Sequence, residues 1–253
     1  LEPYRSVNST ILIALDGTQY HSSNQIHCAN CSCKTHKKGK KTYCHTVVTP
    51  VIVAPGNSKV FPLEPAFVTP QDGTEKQDCE NAAAKRWIKT FGQRCHDLGV
   101  TLLGDDLYCH QPLCALVLDK GLSFIFVCKP DSHKTLYEWV DELDDRLKSV
   151  QTVVVKHRRR KKTEIDTYRL INQVPLRDGE DALMVNWCEL KTTTPDGKVV
   201  YHNAFATNHE INEQNVIEIV AAGRTRWKIE NENNNTLKTK GYHLTHNYGH
   251  GKK

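Results

Sequence analysis

The stretch "ILIALDGTQY", residues 11–20, carries the pattern that decides how the rest of the chain is read. Apolar residues from Ile11 to Leu15 run straight into Asp16, and a small-residue turn with hydroxyls follows. A buried strand seldom ends on a carboxylate for packing reasons, because an unpaired charge at the edge of a core is expensive to desolvate. The pattern recurs in "VTLLGDD", residues 100–106, where a second apolar strand runs into Asp105 with Asp106 beside it. Adjacent strands of one sheet would bring such acids close together. Two carboxylates so placed repel each other unless a cation lies between them, and hard oxygen donors suit Mg²⁺ or Mn²⁺. Side-chain alternation assigns Asp105 to the cation and turns Asp106 to the opposite side.

A two-metal site needs a third acid, and "GRTRWKIENENNNTLK", residues 223–238, supplies Glu230. On a helix Arg226 lies one turn before Glu230, so guanidinium and carboxylate share a face. Glu232 points elsewhere, roughly 200° around the helix.

The surrounding chain is that of a globular protein. Its 253 residues suffice for a substantial core, and its longest apolar runs fall far short of the roughly 20 residues that a membrane helix needs. No basic leader with an apolar segment opens it, so the expectation is a soluble, unexported protein. Beginning at Leu1, it reads as part of a longer one. The net charge of +5 is clustered in "KTHKKGKK", "KHRRRKK" and the tail "TLKTKGYHLTHNYGHGKK", which fits a polyanionic partner.

Ten cysteines in an unexported chain argue for buried thiols or metal ligation over a disulfide framework. Cys95, Cys109, Cys114, Cys128 and Cys188 lie singly in apolar segments and read as core. In "IHCANCSCKTHKKGKKTYCH", Cys28 and Cys31 form a C-x-x-C, the spacing of half a zinc site. Cys44 and His45 are the candidate second half, with Cys33, His36 and Cys79 as further donors.

Strands are predicted over 11–15, 42–53 and 59–68 as an antiparallel meander, then a long amphipathic helix over 75–98 closed by Gly99. "VTLLG", a helix through "LCALVLDKG" and "SFIFVCKP" form a strand, helix, strand unit, which implies parallel pairing with a crossover. Polar and apolar residues alternate from about 150 to 207, which predicts an inserted, mostly β subdomain with Trp187 and Tyr201 on its strands. Helix returns after Asn212, the predicted N-cap, with Val216, Ile219, Val220 and Trp227 along one side and Gly241 past its end.

The set "LDGTQYHSS", "LLGDDLYCHQPLC", the β-rich insertion and "RTRWKIENENNNTLK" resembles the DDE transposases of bacterial insertion sequences, in the group with a β-strand insertion before the third acid. The likeness covers nearly the whole chain. It implies an α/β, RNase H-like mixed sheet flanked by helices, with an inserted mostly-β subdomain. The divisions are then 1–149 for the first part of the catalytic core, including a Cys-rich loop at 27–45, 150–208 for the insertion, and 209–253 for the return to the core with the third-acid helix. It also implies Mg²⁺ or Mn²⁺ held by Asp16, Asp105 and Glu230, with Arg226, Lys238 and Arg224 on phosphates, and cleavage and strand transfer at transposon ends. The implied partners are terminal inverted repeats and target DNA, bound by a homodimer in a bacterial, nucleoid-associated cytoplasmic setting, with no membrane. Structural Zn²⁺ on Cys28, Cys31, Cys44 and His45 is a separate expectation from the residues.

The match departs from the group on the last helix. The group's signature has a Tyr seven residues before the Glu and a Lys seven after it, where this chain has Gly223 and Leu237, with Lys238 one place late. A related branch has an aromatic near Asn234. Two further readings stand beside the leading one: a metal-dependent nuclease of the same fold, and an inactive, transposase-derived DNA-binding module.

Overall fold

The computed structural model describes residues 1–69, 79–159 and 162–245. The predicted helix start at 75–78, the turn of "KHRRRKK" at 160–161 and the tail from 246 lie outside the described residues. Thirteen strands and five α-helices are described. In chain order these are β1 (Ile11–Ala14), β2 (Gly17–Ser23), β3 (Ser32–Thr35), β4 (Lys41–Val48), β5 (Val51–Val53), β6 (Phe61–Pro62), β7 (Ala66–Val68), α1 (Glu80–Leu98), β8 (Val100–Gly104), α2 (Gln111–Asp119), β9 (Ser123–Val127) and α3 (Lys134–Leu147). The chain continues through β10 (Gln151–Arg159), β11 (Lys162–Pro175), β12 (Met184–Thr193), β13 (Val199–Thr207), α4 (Val216–Arg224) and α5 (Asn235–Thr239).

The molecule is mixed α/β. Nine strands form one sheet in the order β10-β11-β12-β13-β9-β8-β1-β5-β6, and β2, β3 and β7 pair with β4 in a second, smaller sheet. β1 is apolar throughout because both its faces are covered. Ile11, Ile13 and Leu15 join one core with Trp87, Ile88, Leu113 and Leu136 of α1, α2 and α3. Leu12 and Ala14 join the other with Val216, Ile219 and Val220 of α4. The expected parallel pairings are present: β8 lies parallel to both β1 and β9.

Several boundaries differ from expectation, each for a local reason. The predicted strand at 42–53 is two strands in different sheets, because Pro50 lacks the N–H that an unbroken ladder requires. The predicted strand at 59–68 likewise divides, with β6 on the main sheet and β7 on the second. The mostly-β segment forms β10 to β13 and extends the main sheet edge-on through the antiparallel β13–β9 pairing. Trp187 is fully buried there against Tyr137, as core packing predicts.

The last helix begins at Val216 with Asn215 at the cap, while the Asn212 side chain accepts from the N–H groups of Gln214 and Asn215 in the preceding turn. It then changes pitch, through a 3-10 turn (Thr225–Trp227) and a π turn (Ile229–Asn234) into α5. The change rotates Trp227 out of the apolar face that a uniform helix would give it, and its side chain is exposed. Lys228 is buried instead, with its Nζ donating to the carbonyls of Ala54 and Asn57. Among the described residues no helix is long and apolar enough to cross a membrane.

Gly223 sits where α4 presses on the sheet. A Cβ there would stand 2.7 Å from Phe205 and 3.0 Å from Ile125, so this position admits no side chain. Gly223→Ala is expected to lower unfolding stability by about 1–3 kcal/mol through overpacking, measured as a shift in the urea midpoint at unchanged m-value. An unchanged midpoint would mean that α4 yields without strain.

Candidate functional site: an acidic edge of the main sheet

The parallel register of β1 and β8 pairs Ile11 with Val100 and Ala14 with Leu103, and the Leu15 N–H donates to the Leu103 carbonyl at 2.8 Å. Asp16 and Asp105 follow β1 and β8 at the same end of the sheet, near enough for Asp105 to raise the Asp16 carboxyl.

Asp106 has a different role. Its Oδ1 accepts from the Lys129 N–H at 2.7 Å and its Oδ2 from Ser132 Oγ at 2.5 Å, with His133 Nε2 at 3.4 Å. It pins the loop after β9, whereas Asp105 Oδ1 accepts the Leu107 N–H, at 2.9 Å, in a local turn.

Burial is the largest influence on Asp16, and it pushes the carboxyl up to about 7. Arg226 acts in the opposite sense, and Glu80, Glu230 and Asp105 each raise it further. Three other acids thus act on the partly buried Asp16. Arg226 Nη2 bonds Glu230 Oε1 at 2.8 Å, as their spacing predicts. Among the described residues, Asp16, Asp105 and Glu230 are not all within 4.8 Å of one another.

Two contributors carry no motif. Asn234 is buried in the π turn, where its Nδ2 donates to Asp16 Oδ2 at 3.2 Å and its Oδ1 accepts from Thr49 Oγ1 at 3.0 Å. Glu80, the first residue of α1, accepts from the Gly17 N–H at 2.9 Å and from the Tyr108 hydroxyl at 2.6 Å. It reaches the site because Gly17 has no side chain: a Cβ there would stand 2.2 Å from the Glu80 carboxyl. The sequence signal was the Gly directly after Asp16; Glu80 itself reads as an ordinary first-turn acid.

The remaining predicted residues are spread around this edge. Arg224 stacks over Tyr201, 4.2 Å from the ring centroid. Lys238 lies half-buried on α5 beyond the π turn. The antiparallel registers of β9 through β13 and on to β10 bring Arg159 and Lys162 to the same end of the sheet as Asp16 and Asp105. The exposed residues of "KTHKKGKK" lie around the β3–β4 turn, in the sheet that β2 enters directly after Asp16.

In that second sheet, Cys28, Cys31 and His45 converge. Cys44 does not join them: it neighbours His45 in β4, so alternation turns it to the other face, where it lines a cleft with Cys33, Cys79 and Glu80. His36 bonds Thr42 at 2.9 Å. Cys95, Cys109, Cys114, Cys128 and Cys188 are buried. Cys109 and Cys128 also approach His133, and the Cys109 thiol is pushed well up by its bond to Cys128 and by burial.

No family model matches this chain, and no curated protein matches it.

The raised Asp16 carboxyl gives a signed pH dependence. An acid at about 7 when folded and near 3.8 when unfolded favours the folded state fully below the lower value. That contribution is lost as pH rises from about 4 to about 7. Asp16→Asn is therefore expected to gain stability relative to the parent between about pH 4 and about pH 8, read from urea midpoints; parallel curves would contradict the burial of Asp16. Gly17→Ala, by displacing Glu80, is expected to lower the Asp16 titration midpoint in carboxyl-resolved NMR.

Proposed function

We propose that this chain is an RNase H-like catalytic domain of the DDE transposase type, which cuts and joins DNA strands with divalent cations held at the acidic edge. The observation that supports the reading is that Glu80, Glu230 and Asp105 are all close enough to Asp16 to raise its carboxyl, at the edge where β1 and β8 run parallel. Carboxylates that repel one another around a partly buried position form a donor set suited to hard divalent cations. Mg²⁺ or Mn²⁺ held there by Asp16, Asp105 and Glu230 would supply Lewis-acid charge stabilisation and make an oxygen nucleophile available at neutral pH.

The chain's own groups would do the rest. Asp16, Asp105 and Glu230 would bind the cations, and Asn234 orients Asp16 through its amide. Arg226, which already neutralises Glu230, is positioned to turn its free donors to a phosphate, in the bidentate manner that guanidinium permits. Arg224 and Lys238 would add charge along the bound strand. The strand end at Lys156–Arg158 lies at the same end of the main sheet as the acids, and the β3–β4 turn lies in the sheet that β2 enters directly after Asp16, so duplex held across them would present its backbone to the site.

The test is Mg²⁺-dependent nicking of labelled duplex DNA by the 253-residue chain and four variants. Asp16→Asn, Asp105→Asn and Glu230→Gln are expected to lose cleavage by on the order of a hundredfold or more, the scale of removing one preorganised charge-stabilising group. Asp106→Asn is expected to keep most activity and to lose stability instead, because its hydrogen bonds hold the loop at 129–132. A dead Asp106→Asn beside an active Asp105→Asn would move the second acid by one residue. Capture of a second DNA strand separates a transposase from a nuclease; binding without metal-dependent cleavage leaves a DNA-binding module.

A further inference from the structure

The turn at 28–31 and strand β4 bring two sulfurs and a ring nitrogen together on the second sheet. Cys28 Sγ and Cys31 Sγ are 3.8 Å apart, and His45 Nε2 lies 3.4 Å from the first and 3.3 Å from the second. A tetrahedral zinc centre with Zn–S near 2.3 Å and Zn–N near 2.0–2.1 Å has S···S edges of about 3.8 Å and S···N edges of about 3.5 Å. The three atoms therefore already occupy three corners of that tetrahedron. The sulfurs are too far apart for a disulfide, whose S–S length is about 2.05 Å.

The local backbone supports the same geometry. The Cys31 N–H donates to the Cys28 carbonyl at 3.2 Å, closing the turn, and the Cys28 N–H points at Cys31 Sγ at 3.3 Å, the kind of outer contact that steadies a thiolate ligand. The His45 ring is held nearly parallel to Tyr20 on β2, with centroids 5.5 Å apart and planes 13° from coplanar. The third ligand is thus oriented by the strand beside it.

We propose that Cys28, Cys31 and His45 bind one zinc ion through these three atoms, clipping the turn at 28–31 onto β4. Thiolate and imidazole donors select zinc over the hard cations suited to the acidic edge, so the two metals do not compete for one site. Bound zinc would stiffen the sheet that starts at Gly17, one residue past Asp16, and that carries the basic β3–β4 turn. The inference does not depend on the DNA reading, since it concerns soft donors remote from the carboxylates.

The experiment is elemental analysis of the full chain after incubation with zinc and gel filtration, with cobalt substituted in parallel. One zinc per chain is expected, together with thiolate-to-cobalt charge-transfer bands in the near ultraviolet. Cys28→Ser and Cys31→Ser should each weaken zinc by roughly a hundredfold or more and abolish those bands, and His45→Ala should weaken it comparably. Cys44→Ser and Asp16→Asn should retain zinc at the parent's stoichiometry. Absence of stoichiometric zinc and of cobalt–thiolate bands in the folded parent would overturn the proposal, whatever the variants do. So would zinc retained by both Cys28→Ser and Cys31→Ser, or lost equally on Cys44→Ser.

Discussion

The pairing of Ala14 with Leu103 across parallel strands is the constraint on which the acidic edge depends. Because side chains alternate with a period of two, a slip of one residue between β1 and β8 would exchange the differently shaped residues that β1 gives to the two cores. The register is protected by burial: Leu12, Ile13, Leu102 and Leu103 are each almost wholly excluded from solvent, and every one of them would be misplaced by the slip. The placement of Asp16 near Asp105 is therefore enforced by hydrophobic packing, which is insensitive to the charges it brings together.

Those charges work against the fold. Asp16 is raised to about 7 by burial and by three other acids, and only Arg226 pulls the other way. The neighbourhood is arranged to tolerate this in part. Asn234 gives Asp16 a neutral donor, Tyr108 and the Gly17 N–H both serve Glu80, and Arg226 covers Glu230. A fold under selection for stability alone would replace one of these acids by an amide. Four carboxylates gathered at one partly buried edge are the kind of local conflict with stability that accompanies a binding site.

Much of this was legible in the residues, and what was not has identifiable causes. The strands at 11–14 and 100–104 that run toward Asp16 and Asp105, and the parallel unit from β8 to β9, followed from periodicity and alternation, which are local. Glu80 and Asn234 were not legible, because each reaches Asp16's surroundings across the fold: Glu80 bonds Gly17 from α1, and Asn234 bonds Asp16 and Thr49 from the far end of the chain. Cys44 was paired with His45 on sequence adjacency, but neighbours in a strand face opposite ways. The split of the predicted strand at 42–53 was signalled by Pro50, whose missing N–H should have weighed more than the run of β-branched residues around it. That the segment at 150–207 would extend the main sheet, and not stand apart, depends on the β13–β9 pairing, a long-range contact that no local pattern encodes.

The π turn accounts for a discrepancy that the sequence alone left standing. In a uniform α-helix each residue advances 100°, so Lys238, one place later than the resembling group's lysine, would be rotated by that amount away from Glu230's face. A π turn closes i→i+5 bonds and so accommodates one residue more than an α turn. The one here spans Ile229–Asn234, so it contains Glu230 and ends before Lys238, and its wider pitch reduces the rotation between the two positions. The same widening buries Asn234 and sets its amide on Asp16. A single local change of pitch thus joins two features of the acidic edge, and Lys228, anchored on the Ala54 carbonyl just before it, fixes where along the chain that change begins.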